Sequence, residues 1–248
     1  MNRKKLAIGV GMLVILIVLG SASYALSNMI FKKDNQETKE EKKETVSVKE
    51  DRKIELCKTP NCMSYSTLIF QKVSTNIEDS QVKKIIQQAN QKIDTYYETV
   101  QNDQMTRPEC ANVANLYQHG LRIQSGIQAK IHDRVLNLAV AAEKYDYCTG
   151  KPLGQDVEVT LYDLEKKKKI SNKEYLKQNG YTEQQVQTMM ETLMRNIYSA
   201  GEVENIIATA KKENKYVVYY DSSNQLVIQY YIPNVNAWYP LQLNQNNA

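Results

Sequence analysis

The residues that decide the fold run from Leu121 to Ala142, LRIQSGIQAKIHDRVLNLAVAA. Leu121, Ile123, Ile127, Ala129 and Ile131 alternate with Arg122, Gln124, Gln128 and Lys130. That two-residue period belongs to a strand with one buried face. His132-Asp133 then reads as a turn, and Leu136, Leu138, Val140 and Ala142 as the returning strand. Val157, Val159 and Leu161 supply a third. Three strands in chain order form a meander, expected to keep one wet face.

Upstream of the meander, Leu68 and Phe70 share one face of a strand. Val82, Ile85, Ile86, Ala89, Ile93, Tyr96 and Val100 then follow helical spacing, with Thr75-x-x-Glu78 as a capping box near the start. Downstream, Ser171-x-x-Glu174 and Thr182-x-x-Gln185 are capping-box patterns ahead of two helices. Val186, Met189, Met190, Leu193, Ile197 and Tyr198 make the buried stripe of the second, which Gly201 is expected to end. A short helix through Val203, Ile206, Ile207 and Ala210 follows. Tyr216–Tyr220 and Leu226–Ile232 read as a hairpin around Ser222-Ser223-Asn224, with a last strand near Leu241. This order predicts an α+β fold, an antiparallel sheet with helices packed on one face, large enough to bury a core.

The chain starts differently. Arg3-Lys4-Lys5 precede LAIGVGMLVILIVL, Leu6 to Leu19, and no charge appears before Lys32. The Leu, Ile and Val residues of that run contribute roughly −3 to −6 kcal/mol towards insertion. The small residues Ser21, Ala22, Ser23 and Ala25 suit a cleaved signal peptide. Continued neutral sequence to Phe31 suits an N-terminal transmembrane helix instead, which is the reading favoured here. Residues 1–31 are therefore the expected membrane anchor, with the C-terminal part outside the cell and a secreted product as the alternative. Lys32 to Lys53, KKDNQETKEEKKETVSVKEDRK, nearly cancels its own charge and offers two valines to bury, so it reads as a flexible tether. Residues 54–248 make the extracytoplasmic domain.

All four cysteines, Cys57, Cys62, Cys110 and Cys148, lie beyond the apolar run. In an exported chain an even number reads as two disulfides, with three possible connectivities. The short spacer holding Pro60 favours Cys57–Cys62, leaving Cys110–Cys148. Zinc is the weaker reading, because Cys110 and Cys148 are not a close ligand pair.

A net charge of +4 on 248 residues is too small and dispersed for a nucleic-acid footprint. A Cys/His nucleophilic pair would need Cys110 or Cys148 beside His119 or His132, and exported cysteines are normally oxidised. His132-Asp133 and Asp146 near Cys148 are isolated, so no metal and no cofactor is expected. Lys166 to Lys169 could attract anionic polymers, although a lysine-rich turn is usually only soluble. Trp238 and Tyr239 beside Asn234 and Asn236 are the candidate binding residues, able to stack on a sugar or a protein partner. Edge-strand aromatic residues more often complete the core than form a binding site, which is the competing reading.

With these elements placed, the chain resembles the extracytoplasmic domain shared by RsiV-type anti-sigma factors and PdaC-type peptidoglycan deacetylases. The resemblance rests on IIQQANQKIDTYY (Ile85–Tyr97), Val135–Val140, VTLYDLEKKKKISNKEYL (Val159–Leu176) and YYDSSNQLVIQYYIPNVNAWYPLQL (Tyr219–Leu243), and covers Met63 to Leu243. Only five residues precede the apolar run, too few for a sigma-binding region, and no metal-binding catalytic domain is recognisable. The resemblance thus implies a non-catalytic binding or sensory-accessory protein at the bacterial cell envelope. Its partner would be a cell-wall polymer or an envelope protein, a lysozyme-like ligand included. The alternatives are a wall-active enzyme with an unrecognised site and a structural subunit of an envelope complex.

Overall fold

The computed structural model describes residues 44–58 and 67–243. The expected anchor, most of the tether, and Cys62 lie outside the described residues. No helix among the described residues is long and apolar enough to cross a membrane. The tether does not reach Lys53 as expected, because Val46–Glu55 is strand β1. It pairs antiparallel with β2, Thr67–Thr75, with a register shift between Glu50 and Arg52. Two valines looked too few to order this segment. Strand pairing satisfies its backbone, and Ile54 and Leu56 join Val46 and Val48 on apolar neighbours. Arg52 contributes too: its guanidinium lies 4.1 Å from the Tyr97 ring centre and pairs with Asp94.

Helix α1, Ser80–Asn102, buries all seven of the apolar residues expected of it. Its cap is Asp79, not the Thr75 pattern, since Thr75 is the last residue of β2. The Asp79 carboxylate accepts from the amides of Gln81 and Val82 at 2.8 and 3.0 Å. The meander follows as β3 (Leu121–His132), β4 (Val135–Asp146) and β5 (Lys151–Asp163), with β6 (Lys168–Ile170) added at the edge. Asp133 and Arg134 form the β3–β4 turn with φ of 45° and 61°, the positive values that a two-residue hairpin needs. Three helices come next: α2 (Asn172–Gln178), α3 (Glu183–Ile197) and α4 (Ala200–Glu213). The Thr182/Gln185 capping box forms at α3, whereas Gly201 does not end that helix but sits in the first turn of α4. An antiparallel sheet of β7 (Tyr216–Tyr220), β8 (Leu226–Ile232) and β9 (Ala237–Pro240) closes the fold.

The fold is thus α+β with antiparallel sheets, but the meander has no wet face along β4. Leu136, Leu138, Val140 and Ala142 pack into one core with α1, β1 and β2. Val135 and Ala139 point the other way, into a second core built from α2–α4 and β7–β9. Helices therefore lie on both sides of the central sheet rather than on one. Period-two alternation predicts a single buried face only when the polar positions meet water. In β4 those positions are Asn137, Ala139 and Ala141, small or paired residues that a second layer can cover.

Asn137 makes that junction. It is 1% exposed, accepts from the Tyr220 amide at 3.0 Å, and donates to the Val135 carbonyl at 2.9 Å. Asn172 does the same further along β7, accepting from the Val218 amide and donating to the Tyr216 carbonyl. Two asparagine side chains thereby occupy the backbone groups on the edge of β7 that faces away from β8.

Candidate functional site

The two aromatic residues singled out in the sequence part company in the structure. Trp238 is 3% exposed and belongs to the second core, against Tyr231 at 5.3 Å between ring centres. Its amide donates to the Gln155 side chain at 2.9 Å, which docks β9 beside β5. Trp238 therefore completes the core and presents no stacking face. Tyr239 is half-buried, with its hydroxyl 3.2 Å from that of Tyr198. Close packing holds this end together: Gly154 has φ of 102°, and a Cβ there would lie 2.0 Å from the Asn236 amide nitrogen.

The aromatic surface lies at the Asp146 end of β4, next to where Lys144 pairs with Gly154. Tyr117 and Tyr147 stack with ring centres 4.0 Å apart and planes 7° from parallel, and Tyr145 meets Tyr147 edge-on at 5.4 Å. All three are half-buried, a shelf with an apolar body and polar tips. Arg122 stands directly across from Tyr145 in the β3–β4 register. Burial pushes the Tyr147 hydroxyl above its ordinary pKa, and the Arg122 charge opposes that rise.

Sequence-distant segments are brought together to build this shelf. Tyr117 follows the 3-10 turn Pro108–Cys110 and pairs with Cys57 in an isolated antiparallel bridge. On either side of that bridge, Gln118 donates to the Leu56 carbonyl at 2.7 Å and Lys58 to that of Leu116 at 2.8 Å. Cys110 and Cys148 are joined, with S–S 1.99 Å, and tie the Tyr117 loop to the end of β4. Cys57 is also disulfide-bonded; its expected partner Cys62 lies outside the described residues. Gly120 is required beneath this staple, because a Cβ there would lie 2.5 Å from the Cys148 sulfur.

An ionic fork reinforces the staple. Arg107 donates from both terminal nitrogens to the Asp146 carboxylate, at 3.1 and 3.0 Å. Asp146 also accepts from the Cys148 amide at 2.9 Å, and the Arg107 hydrogen bonds hold its pKa below the usual carboxylate range despite burial. Asp103 accepts from the Leu121 amide at 2.7 Å. These groups spend their polarity on the loop itself.

The two histidines are engaged in structural contacts. His119 lies 3.3 Å from the Asp103 carbonyl. His132 is not a free turn tip: its ring stacks on Tyr220 at 3.6 Å, and Nδ1 is 2.9 Å from the Asn224 side-chain oxygen. Neither Cys110 nor Cys148 is a thiol, so no Cys/His pair forms from them. Among the described residues, no three His, Cys, Asp or Glu side chains are grouped to hold a metal. A scan against protein-family models and a search of curated proteins find no match to this chain.

Sequence reasoning missed the tyrosine shelf. Two signals pointed to it. The chain has 17 Tyr and only two Phe, so aromatic positions favour residues with one wet end. Tyr145-Asp146-Tyr147 also directly precedes a disulfide cysteine, where the chain is held rigid.

Proposed function

We propose that this chain is a membrane-anchored extracytoplasmic binding or sensory-accessory protein of the bacterial cell envelope, non-catalytic, which meets its partner through the tyrosine shelf. The observation that carries the reading is the Cys110–Cys148 bond, a feature of oxidising compartments, placed where it rigidifies that shelf. The basic and apolar N-terminal sequence supports export, and the resemblance to domains of RsiV-type anti-sigma factors and PdaC-type deacetylases supports a role at the wall. Rigid tyrosines lose little side-chain entropy on binding, which suits them to a sugar chain or a protein surface.

Protease added to intact cells should remove the domain while the N-terminal segment stays with the membrane. A soluble product starting near Ser23 or Leu26 would refute the anchor. Purified protein should be retained by peptidoglycan or by lysozyme, and Tyr117→Ala should weaken that retention about tenfold, as loss of an interface anchor does. Hydrolysis of a wall polymer by the purified protein would overturn the non-catalytic reading.

A further inference from the structure

A crevice of about 60 Å³ opens on the side of the central sheet away from the second core, between α1 and β5. Its floor is apolar, made by Ile85, Ala89, Leu138 and Val140. Its rim is polar: Gln88 and Lys92 from α1, Glu158 and Thr160 from β5, Lys169 from β6. Lys92 is held 2.7 Å from Glu158, so its charge is largely answered. Lys169 pairs in register with Tyr162, which sets it on the same face as Thr160. It has no ion-pair partner among the described residues.

Size and chemistry narrow the occupant. A volume near 60 Å³ gives room for a few water molecules or a group of similar size. The free ammonium of Lys169, the Thr160 hydroxyl and the Gln88 amide are donors for a small oxyanion, while Glu158 opposes a second charge. The cationic surface also continues beyond the crevice. Lys84, Gln88 and Lys92 recur every four residues along one stripe of α1. On the other side, the β5–β6 turn exposes Lys166 and Lys167, while Lys168 turns to the opposite face and pairs with Glu174 at 3.6 Å. A single small anion would use only the middle of this track, whereas a chain of evenly spaced anions would use all of it.

We propose that the crevice seats one phosphodiester group of an anionic polymer whose neighbouring phosphates lie along the lysines of α1 and of the β5–β6 turn. This deepens the envelope reading above and rests on it for where such a polymer is met. The full chain in neutral detergent should bind poly(glycerol phosphate) saturably and inorganic phosphate more weakly. Lys169→Gln and Thr160→Val should each weaken polymer binding about tenfold, the effect of losing one hydrogen bond to a charged group. Glu158→Gln should strengthen it by roughly threefold, by freeing Lys92. Lys166→Gln should change it less than about twofold, since Lys166 is exposed and already paired with Asp163 at 3.2 Å.

Phosphatidylglycerol vesicles, with phosphatidylcholine as control, separate the sources. Lys169-dependent binding to the polymer but not to the vesicles supports the proposal, and binding to the vesicles alone overturns the polymer. Absence of saturable polymer binding overturns it, as does equal loss in Lys166→Gln and Lys169→Gln, which would mean charge without a site. Binding by purified protein does not depend on cellular location, so failure here and failure of the protease test on cells are distinct.

Discussion

The two faces of β4 solve the same burial problem with different chemistry. On the α1 side the core is mostly aliphatic, with Leu136, Leu138, Val140, Ile85, Ile93, Leu68 and Val73 joined by Phe70, Tyr96 and Tyr162. On the other side it is rich in aromatic and polar-tipped residues, including Tyr175, Tyr216, Tyr219, Tyr230 and Trp238. Their hydroxyls need partners: Tyr230 reaches the Ala210 carbonyl and Asn214, Tyr216 reaches Glu183, and Tyr220 reaches Asn179. An aliphatic core demands only shape, whereas a tyrosine core also demands direction. The α1 side has fewer such contacts, Tyr96 to Asp156 and Tyr162 to Asp79, so the second face is the more firmly pinned.

The comparison breaks most readily in the large cores. Trp238→Ala should cost about 3–5 kcal/mol and Ile93→Ala about 2–5 kcal/mol, the range for buried large-to-small changes. Because both cores share β4, each variant should melt in a single transition followed equally by tyrosine fluorescence and far-ultraviolet dichroism. Two separated transitions would show that the faces fold as independent units. Replacing Cys110 and Cys148 together by serine should cost roughly 2–5 kcal/mol by denaturant titration, through the enlarged freedom of the unfolded chain.

The pinned side offers a smaller, sharper test. Asn137→Ala should cost about 1–3 kcal/mol by leaving the Tyr220 amide without its acceptor, with faster hydrogen exchange at that amide. An unchanged exchange rate would remove Asn137 from the junction. Acid probes the Asp146 fork. The folded pKa of Asp146 is depressed, so its contribution is complete above the unfolded value of about 3.9 and is lost as pH falls through the folded value. Asp146→Asn should cost roughly 1–2 kcal/mol near neutral pH, moderated because Arg107 is partly exposed, and should flatten the loss of stability below about pH 4. The smallest effect is expected at the α3 cap, where Thr182→Ala should lower stability by about 1 kcal/mol. Helix content should otherwise be retained.

Legibility in the sequence follows the same division. Every buried position of α1 was readable because helical spacing of Val, Ile and Ala reports one continuous stripe. The β3–β4 hairpin was readable from alternation, and the α3 cap from Thr182 and Gln185. The β1 strand was not, because six charges among Lys49, Glu50, Asp51, Arg52, Lys53 and Glu55 hide a pattern whose bulge shifts its period. Trp238 could be named as important but not placed, since a tryptophan beside Asn residues fits a core more often than a surface but suits both. The tyrosine shelf was invisible as a unit: Cys57, Tyr117 and Tyr147 meet only after the chain has folded.

What the sequence by itself determined is local: the period of α1 and of the β3–β4 hairpin, the caps of α2 and α3, the hydrophobic run ahead of Lys32, and the even cysteine count. Each depends on residues a few positions apart, whose relation the backbone sets directly. The tertiary structure alone decided that β4 is buried on both faces, that Asn137 and Asn172 hold the edge of β7, and that the aromatic surface lies beside Cys148 rather than at Trp238. These facts depend on which distant groups pay for one another's burial. Asn137 reads as a polar interruption in a strand until the Tyr220 amide arrives from 83 positions away to donate a hydrogen bond to it in the core.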